Sequence, residues 1–237
     1  MNSIGKDILF EDNHILIYNK QPSQIVQGDK TGDIPLSDLL KAFIKERDHK
    51  PGNVFLGVVH RIDRPVSGAV IFAKTSKALT RLNEMIKTGS IRKTYWAVVK
   101  NLPSEENGHL IHYLKKNEEK NKSFASDKEV AGSRKAELTY CLIGRSQNYF
   151  LLEVNLLTGR HHQIRCQLSK IGCPIKGDLK YGFDRSNPDG SIHLHARKIV
   201  FSHPVSKEVI EVVARPPDDK LWSSFLIQVN NKTEEPL

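Results

Sequence analysis

Short runs of apolar and β-branched residues recur along the whole chain of 237 residues, each about the length of one strand. Ile8–Phe10 and His14–Tyr18 flank the polar Glu11-Asp12-Asn13, which predicts a hairpin. Val54–Val59, Ala69–Phe72, Tyr95–Val99, Leu138–Ile143, Phe150–Leu157, His193–Phe201 and Val209–Val213 predict further strands. Helical spacing is confined to a few stretches. Leu39, Leu40, Phe43 and Ile44 follow Ser37, a candidate N-cap. Leu79, Leu82, Met85 and Ile86 follow Thr75 or Ser76 and end at Gly89. Ile164, Leu168 and Ile171 fall at helical spacing from His161 onward, and Gly172 and Pro174 stop that stretch. Asp218–Ile227 predicts a short final helix. Pro22–Pro35 is polar and contains glycine, so a loop is expected. The lysine-dense stretch Lys115–Lys135 reads either as a solvated loop or as a flap facing a polyanion.

Strands joined mostly by hairpins, with helices inserted, imply an α+β fold on a mixed, largely antiparallel sheet flanked by helices. No repeat or break divides the pattern, so residues 1–237 are expected to form a single domain, with its core over about 7–216. Strand patterns begin by Ile8, which leaves no room for an accessory domain in front. The chain is 38% hydrophobic and 27% charged, ordinary for a soluble globular protein. No run approaches the ~20 apolar residues of a membrane span, and Met1–Asp7 has no signal-peptide pattern. Cys141, Cys166 and Cys173 are odd in number and form no CxxC pair, so a reducing cytoplasmic setting is expected. The net charge of +9 suits a polyanionic partner but equally a merely basic soluble protein.

Three segments carry residue types suited to chemistry. In His60-Arg61-Ile62-Asp63-Arg64-Pro65-Val66-Ser67-Gly68, an aspartate lies between two arginines on a turn bounded by proline and glycine. Adjacent cations favour the ionised carboxylate, which could act as a nucleophile or base. A turn aspartate that caps backbone amides fits the same residues. In Leu157-Thr158-Gly159-Arg160-His161-His162-Gln163-Ile164-Arg165, the two arginines are five apart and need not share a face. One could meet a phosphate while the other holds a carboxylate by a bidentate fork, or both could be surface charge. In Lys93-Thr94-Tyr95-Trp96-Ala97-Val98-Val99, an aromatic ring in a strand beside a basic residue could stack on a base or lie in the core.

Together these segments resemble the RluA-type family of RNA pseudouridine synthases. That family carries an H-R-L-D-x-x-T-S-G loop, a K-x-Y-x-A strand and an L-x-T-G-R-x-H-Q-I-R segment. A G-x-P-I-x-G-D-x-x-Y-G stretch follows, present here as Gly172–Gly182. Leu194-His195-Ala196 and Phe201-Ser202-His203-Pro204 match two further family features. The elements occur in the family's order from about Ile8 to Pro216. Val66 replaces a usual Thr, His161 a Ser or Thr, and Gln167 a frequent His, while Gln21 displaces the Pro usual after Asn19-Lys20.

The resemblance implies an isomerase that converts uridine in RNA to pseudouridine, with Asp63 as the catalytic aspartate. It also implies that Tyr95 stacks on the uracil, that Arg165 pairs with Asp63, and that Arg61 contacts RNA near an extruded nucleotide. Arg160, His162 and Gln163 fall in the same matched segment and are expected at the RNA. A few kcal/mol are needed to unstack a base in a duplex, and phosphate contacts with aromatic stacking could offset that cost. No redox, group-transfer or hydrolytic step is involved, so neither cofactor nor metal is expected. Large-subunit ribosomal RNA or transfer RNA is the expected partner, with no membrane and a monomeric protein. A non-catalytic RNA-binding protein of the same fold is the competing reading. A metal-dependent nuclease or hydrolase is a poorer third: His161-His162 and His193-x-His195 invite a metal, but neither has HExxH spacing.

Overall fold

The computed structural model describes residues 2–29 and 31–234, so Lys30 of the expected Pro22–Pro35 loop lies outside the described residues. In chain order the elements begin with α1 (Asn2–Lys6), β1 (Ile8–Glu11), β2 (Ile15–Lys20), α2 (Leu36–Arg47), β3 (Gly57–Val58), β4 (Ser67–Ala73), α3 (Ser76–Lys87) and β5 (Arg92–Val99). They continue with β6 (Asn107–Asn117), β7 (Lys122–Ser126), β8 (Arg134–Arg145), β9 (Phe150–Leu156) and α4 (Gln163–Lys170). A 3-10 turn (Leu179–Tyr181), β10 (Leu194–Ser202), β11 (Val209–Val213) and α5 (Lys220–Glu234) complete the chain. Two compact units result. Unit 1 is Met1–Lys93 with Ala196–Arg215, and unit 2 is Thr94–His195 with Pro216–Leu237.

In unit 1, β2 lies between β1 and β4, β10 follows β4, β11 borders β10, and β3 pairs with β4. The β2–β4 register runs antiparallel from Ile15 opposite Ala73 to Lys20 opposite Gly68. Every residue of both strands is buried, as unbroken apolar runs require. Ile15, Ile17, Ala69, Ile71 and Phe201 pack with Ala78 and Leu82 of α3. Full burial of each large aliphatic side chain is worth about 1.5–3 kcal/mol. Thr75 caps α3 as expected, its hydroxyl accepting from Ala78 N at 3.1 Å.

Two expectations in this unit need correction. Ser37 does not cap α2, which starts one residue earlier, behind Pro35. The amides of Leu36 and Ser37 donate to the carbonyls of Ile25 and Val26, so the neighbouring chain does the capping. Of Val54–Val59, only Gly57 and Val58 form a strand, and Phe55 is exposed. A Cβ on Gly57 would meet Leu79 Cδ2 at 2.7 Å, so α3 approaches where a longer strand would need side chains.

Unit 2 has the strand order β5-β9-β8-β6-β7. The stretch Lys115–Lys135 takes in the end of β6, all of β7 and the start of β8, with turns between them. β6 and β7 form a hairpin from Tyr113 opposite Ser126 to Asn117 opposite Lys122. Only one face of it is covered, by Cys166 and Tyr181 packing against Leu114, Ala125 and Ala136. The polar outer face hides the alternation that marks a strand. On the other side of the unit, Trp222 and Phe225 of α5 pack with Trp96, Val98 and Leu151. Asp219 Oδ1 accepts from Leu221 N and Trp222 N, both at 2.8 Å, and fixes the start of a helix longer than predicted. His193 is stacked on Trp222 and lies 3.0 Å from Asp219 Oδ2, within the core.

In both units helices pack on antiparallel pairings, the α+β class expected. Among the described residues no helix is long and apolar enough to cross a membrane.

Candidate active site

In unit 1 the His60–Gly68 segment links β3 to β4. Val66 N donates to Asp63 O at 3.0 Å and closes a turn with Asp63 half-exposed at its corner. Ile62 and Val66, both buried, anchor the turn on either side of the carboxylate. Gly68 has φ +115°, and a Cβ there would meet Ala196 N at 2.5 Å and Ala196 C at 2.8 Å. Only glycine allows this approach.

Beneath the turn lies Lys20, with 0% exposure. Its ammonium donates to Arg64 O at 3.1 Å and to Gln21 O at 2.9 Å, so a side chain from β2 holds the loop by its main chain. Burial pushes the Lys20 pKa down to about 7, while the charge of Asp63 pulls it back up and that of Arg64 lowers it further. Arg64 itself pairs with Asp33 at 2.7 Å. The fold therefore adds a buried cation to the surroundings of Asp63 besides the flanking arginines. Arg61 is exposed. His60 Nε2 accepts from Ile71 N at 3.2 Å, and burial pushes its pKa down to about 3, with Lys93 adding to the shift. A neutral His60 thus ties the loop to β4.

In unit 2 the Thr158–Arg165 segment turns from β9 into α4. Gln163 is buried and its amide is engaged at both ends. Oε1 accepts from Thr158 Oγ1 at 2.8 Å and Arg160 N at 2.9 Å, and Nε2 donates to Glu137 O at 3.1 Å. These contacts brace the turn. His162 adopts φ 52°, ψ 29°, a left-handed conformation that is uncommon for a residue with a side chain. Its Nδ1 lies 3.0 Å from the Tyr181 hydroxyl, and its ring stacks on His161 at 3.8 Å. Arg160 is exposed, and its Nε donates to Lys135 O at 3.0 Å.

Arg165 points inward. Asp178, itself buried, accepts from its Nε at 2.6 Å and its Nη2 at 2.8 Å, and the guanidinium carbon lies 5.1 Å from the Tyr181 ring centre. The two arginines thus diverge, one outward and one onto a carboxylate. Within unit 2 that carboxylate is Asp178. Tyr95 lies on β5 and is buried. The Tyr181 hydroxyl also accepts from Ser123 N at 2.8 Å, and burial raises its pKa.

A family profile described as RNA pseudouridylate synthase matches residues 14–170, more than half of the chain. The chain belongs to the RNA pseudouridine synthase family. It is 32% identical over 219 residues to an uncharacterized RNA pseudouridine synthase of Synechocystis, covering 91% of this chain and 67% of the relative. It is 30% identical over 241 residues to the ribosomal large subunit pseudouridine synthase D of Zymomonas mobilis, covering 97% and 75%. The solved human RNA pseudouridylate synthase domain containing 4 shares the fold, with a TM-score of 0.78 and 20% identity over 97% of this chain and 95% of that one.

This RNA pseudouridine synthase is therefore an isomerase acting on uridine in RNA. Asp63 and Arg61 share one loop of unit 1, while Arg160, His162, Gln163 and Arg165 share one turn of unit 2. Sequence reasoning missed three supports of these groups. Lys20 closes a fully buried strand, a position where a charge is unusual. Asp178 and Tyr181 sit in the matched Gly172–Gly182 stretch, where their burial was the signal left unread.

Proposed function

We propose that Asp63 is the catalytic carboxylate, and that the substrate is a uridine of large-subunit ribosomal RNA. The observation that carries the first part is the half-exposed Asp63 on a turn fixed by Ile62, Val66 and Gly68, with the buried Lys20 ammonium holding the loop at Arg64 O. Residues in such over-determined turns are suited to hold a reacting group still. The second part is supported by relatives named for the large ribosomal subunit.

In the reaction the N1–C1′ bond breaks, the uracil turns, and a C5–C1′ bond forms; the proton leaving C5 balances the one gained at N1. Asp63 either attacks C1′ or takes the C2′ proton to give a glycal. Both routes need an ionised carboxylate. Glycosidases commonly use two carboxylates. One suffices here, because uracil departs as a stabilised anion. Tyr95 supplies the ring for the uracil, and Arg165 a guanidinium for the carboxylate chemistry, as the matched segments imply. Exposed Arg61 and Arg160 are placed for phosphate contacts.

Asp63→Asn should lower isomerisation by at least about 10³-fold while RNA binding stays within about twofold, in the range expected for loss of a proton-transfer group. Wild-type turnover by this variant would overturn the assignment. Pseudouridine mapping with and without the gene tests the RNA. Sites lost from large-subunit ribosomal RNA support the proposal, and losses confined to transfer RNA refute its second part.

A further inference from the structure

The chemistry above uses Arg165 and its clamp Asp178 but leaves a buried polar side chain of unit 2 without a task. Asn187 is 7% exposed and opens the turn Asn187-Pro188-Asp189-Gly190, closed by Gly190 N donating to Asn187 O at 3.0 Å. Its side chain has three partners. Oδ1 accepts from Lys176 Nζ at 2.7 Å, while Nδ2 lies 3.1 Å from Ser191 Oγ and 3.0 Å from His193 Nδ1.

Lys176 fixes the direction of these bonds. An ammonium only donates, so the atom facing it is the amide oxygen, and both N–H bonds of Asn187 are left for Ser191 and His193. Ser191 Oγ accepts one and donates onward to Asp189 Oδ1 at 2.7 Å. His193 Nδ1 accepts the other, which puts the imidazole proton on Nε2, 3.0 Å from Asp219 Oδ2. Donors thus run in one sense from Lys176 through Asn187 and His193 to the carboxylate that starts α5. An aspartate of the same shape would set an acceptor against His193 Nδ1.

This chain of bonds grips the main chain just before Asp178. A Cβ on Gly177 would meet Asn187 Cγ at 2.9 Å and Ser191 O at 2.8 Å, so the Asn187 amide closes directly on the Gly177 backbone. Lys176 N donates to Val98 O, and His193 N donates to Lys176 O, both at 2.9 Å. Residues 176 and 177 are therefore held between β5 and the Asn187 turn. Asp178 leaves that grip one residue later, with its carboxylate on Arg165 Nε and Nη2. The carboxylate sits where the main chain puts it, and the guanidinium follows the carboxylate.

We infer that Asn187 is a positioning residue for the isomerisation: by fixing Gly177 it sets the Asp178 carboxylate, and through it the direction of the Arg165 guanidinium. The inference rests on the part given to Arg165 under the proposed function, and it is independent of which uridine is the substrate.

The test compares wild type with Asn187→Asp and Asn187→Ala, each alone and combined with Arg165→Lys, with rates normalised to folded enzyme. Each single variant should lower kcat about 10- to 100-fold and leave KM for RNA within about twofold, as misplacing a reacting group does. With Arg165→Lys the fork is already gone, so neither substitution should lower kcat further. A merely structural Asn187 would lower kcat alike in both backgrounds, and that result would overturn the inference. The Arg165 Nε–H proton, followed by NMR, reports the clamp without any turnover. Its hydrogen exchange should quicken at least about tenfold in Asn187→Ala. Wild-type exchange in that variant would overturn the inference, even if the combined variants fail to fold. Faster exchange with kcat unchanged would support the positioning and refute the part given to Arg165 in the reaction.

Discussion

The loop around Asp63 and the turn leading to Arg165 are both matched family segments, yet they are built on different plans. In the first, the side chain proposed for chemistry is half-exposed, and its support comes from elsewhere: Lys20 from β2, and the close packing of Gly68 on Ala196. In the second, the side chains largely support one another. Thr158 and Gln163 lock the turn, and Asp178 clamps Arg165 through two hydrogen bonds. The difference teaches that a run of matching residues is not a run of ligand contacts. Some of its members hold the others in place.

That contrast can be broken most forcefully at Asp178. Asp178→Asn takes the Asp178 charge away from the buried Arg165 guanidinium, and breaking a buried pair typically costs about 3–5 kcal/mol. Urea unfolding should show a loss of that size, with turnover falling as well. A variant as stable as wild type would show that Asp178 is no clamp.

Lys20 sharpens the other side. Its folded-state pKa of about 7 lies below the ordinary 10.5, so between those values the unfolded chain binds more protons and stability rises with pH. The charged-lysine penalty is fully present below about pH 7 and is relieved by about pH 10.5. Lys20→Met should remove this slope, so that stability differences between wild type and variant move by a few kcal/mol from pH 6.5 to pH 10. Parallel curves for the two proteins would refute it. The variant should also lose turnover, since the ammonium that holds the Asp63 loop at Arg64 O is gone.

The smallest effect is expected at Gln163. Gln163→Leu strips partners from Thr158 Oγ1, Arg160 N and Glu137 O, for a loss of about 1–3 kcal/mol in thermal or urea unfolding. Its KM for RNA should rise less than that of an Arg160→Ala variant. A larger KM effect at Gln163 would place its amide at the RNA after all.

Much of the fold was legible where side chains alternate or repeat against a single apolar environment. α3 with its Thr75 cap, β11 over Val209–Val213, and the β1–β2 hairpin emerged from pattern alone. The β6–β7 hairpin did not, because its uncovered face mixes Tyr113 and Phe124 with lysine, asparagine and serine and so breaks the polar–apolar alternation. Asp63 could be read as a candidate because its neighbours are distinctive. Lys20 could not, since its meaning comes from burial and from a partner 43 residues away in sequence. The motif implies Gln163 at the RNA; that its amide also ties the turn to Glu137 of β8 depends on contacts distant in sequence.

The glycine at the end of the Asp63 loop carries a consequence for how such enzymes can diversify. Because the main chain at Gly68 rests against the main chain at Ala196, the attachment point offers no side chain for mutation to reshape. Adaptation to a new RNA must therefore work at exposed positions of the loop such as Arg61, while the hinge of the loop stays constant. Variation is channelled toward recognition and away from the geometry of the carboxylate.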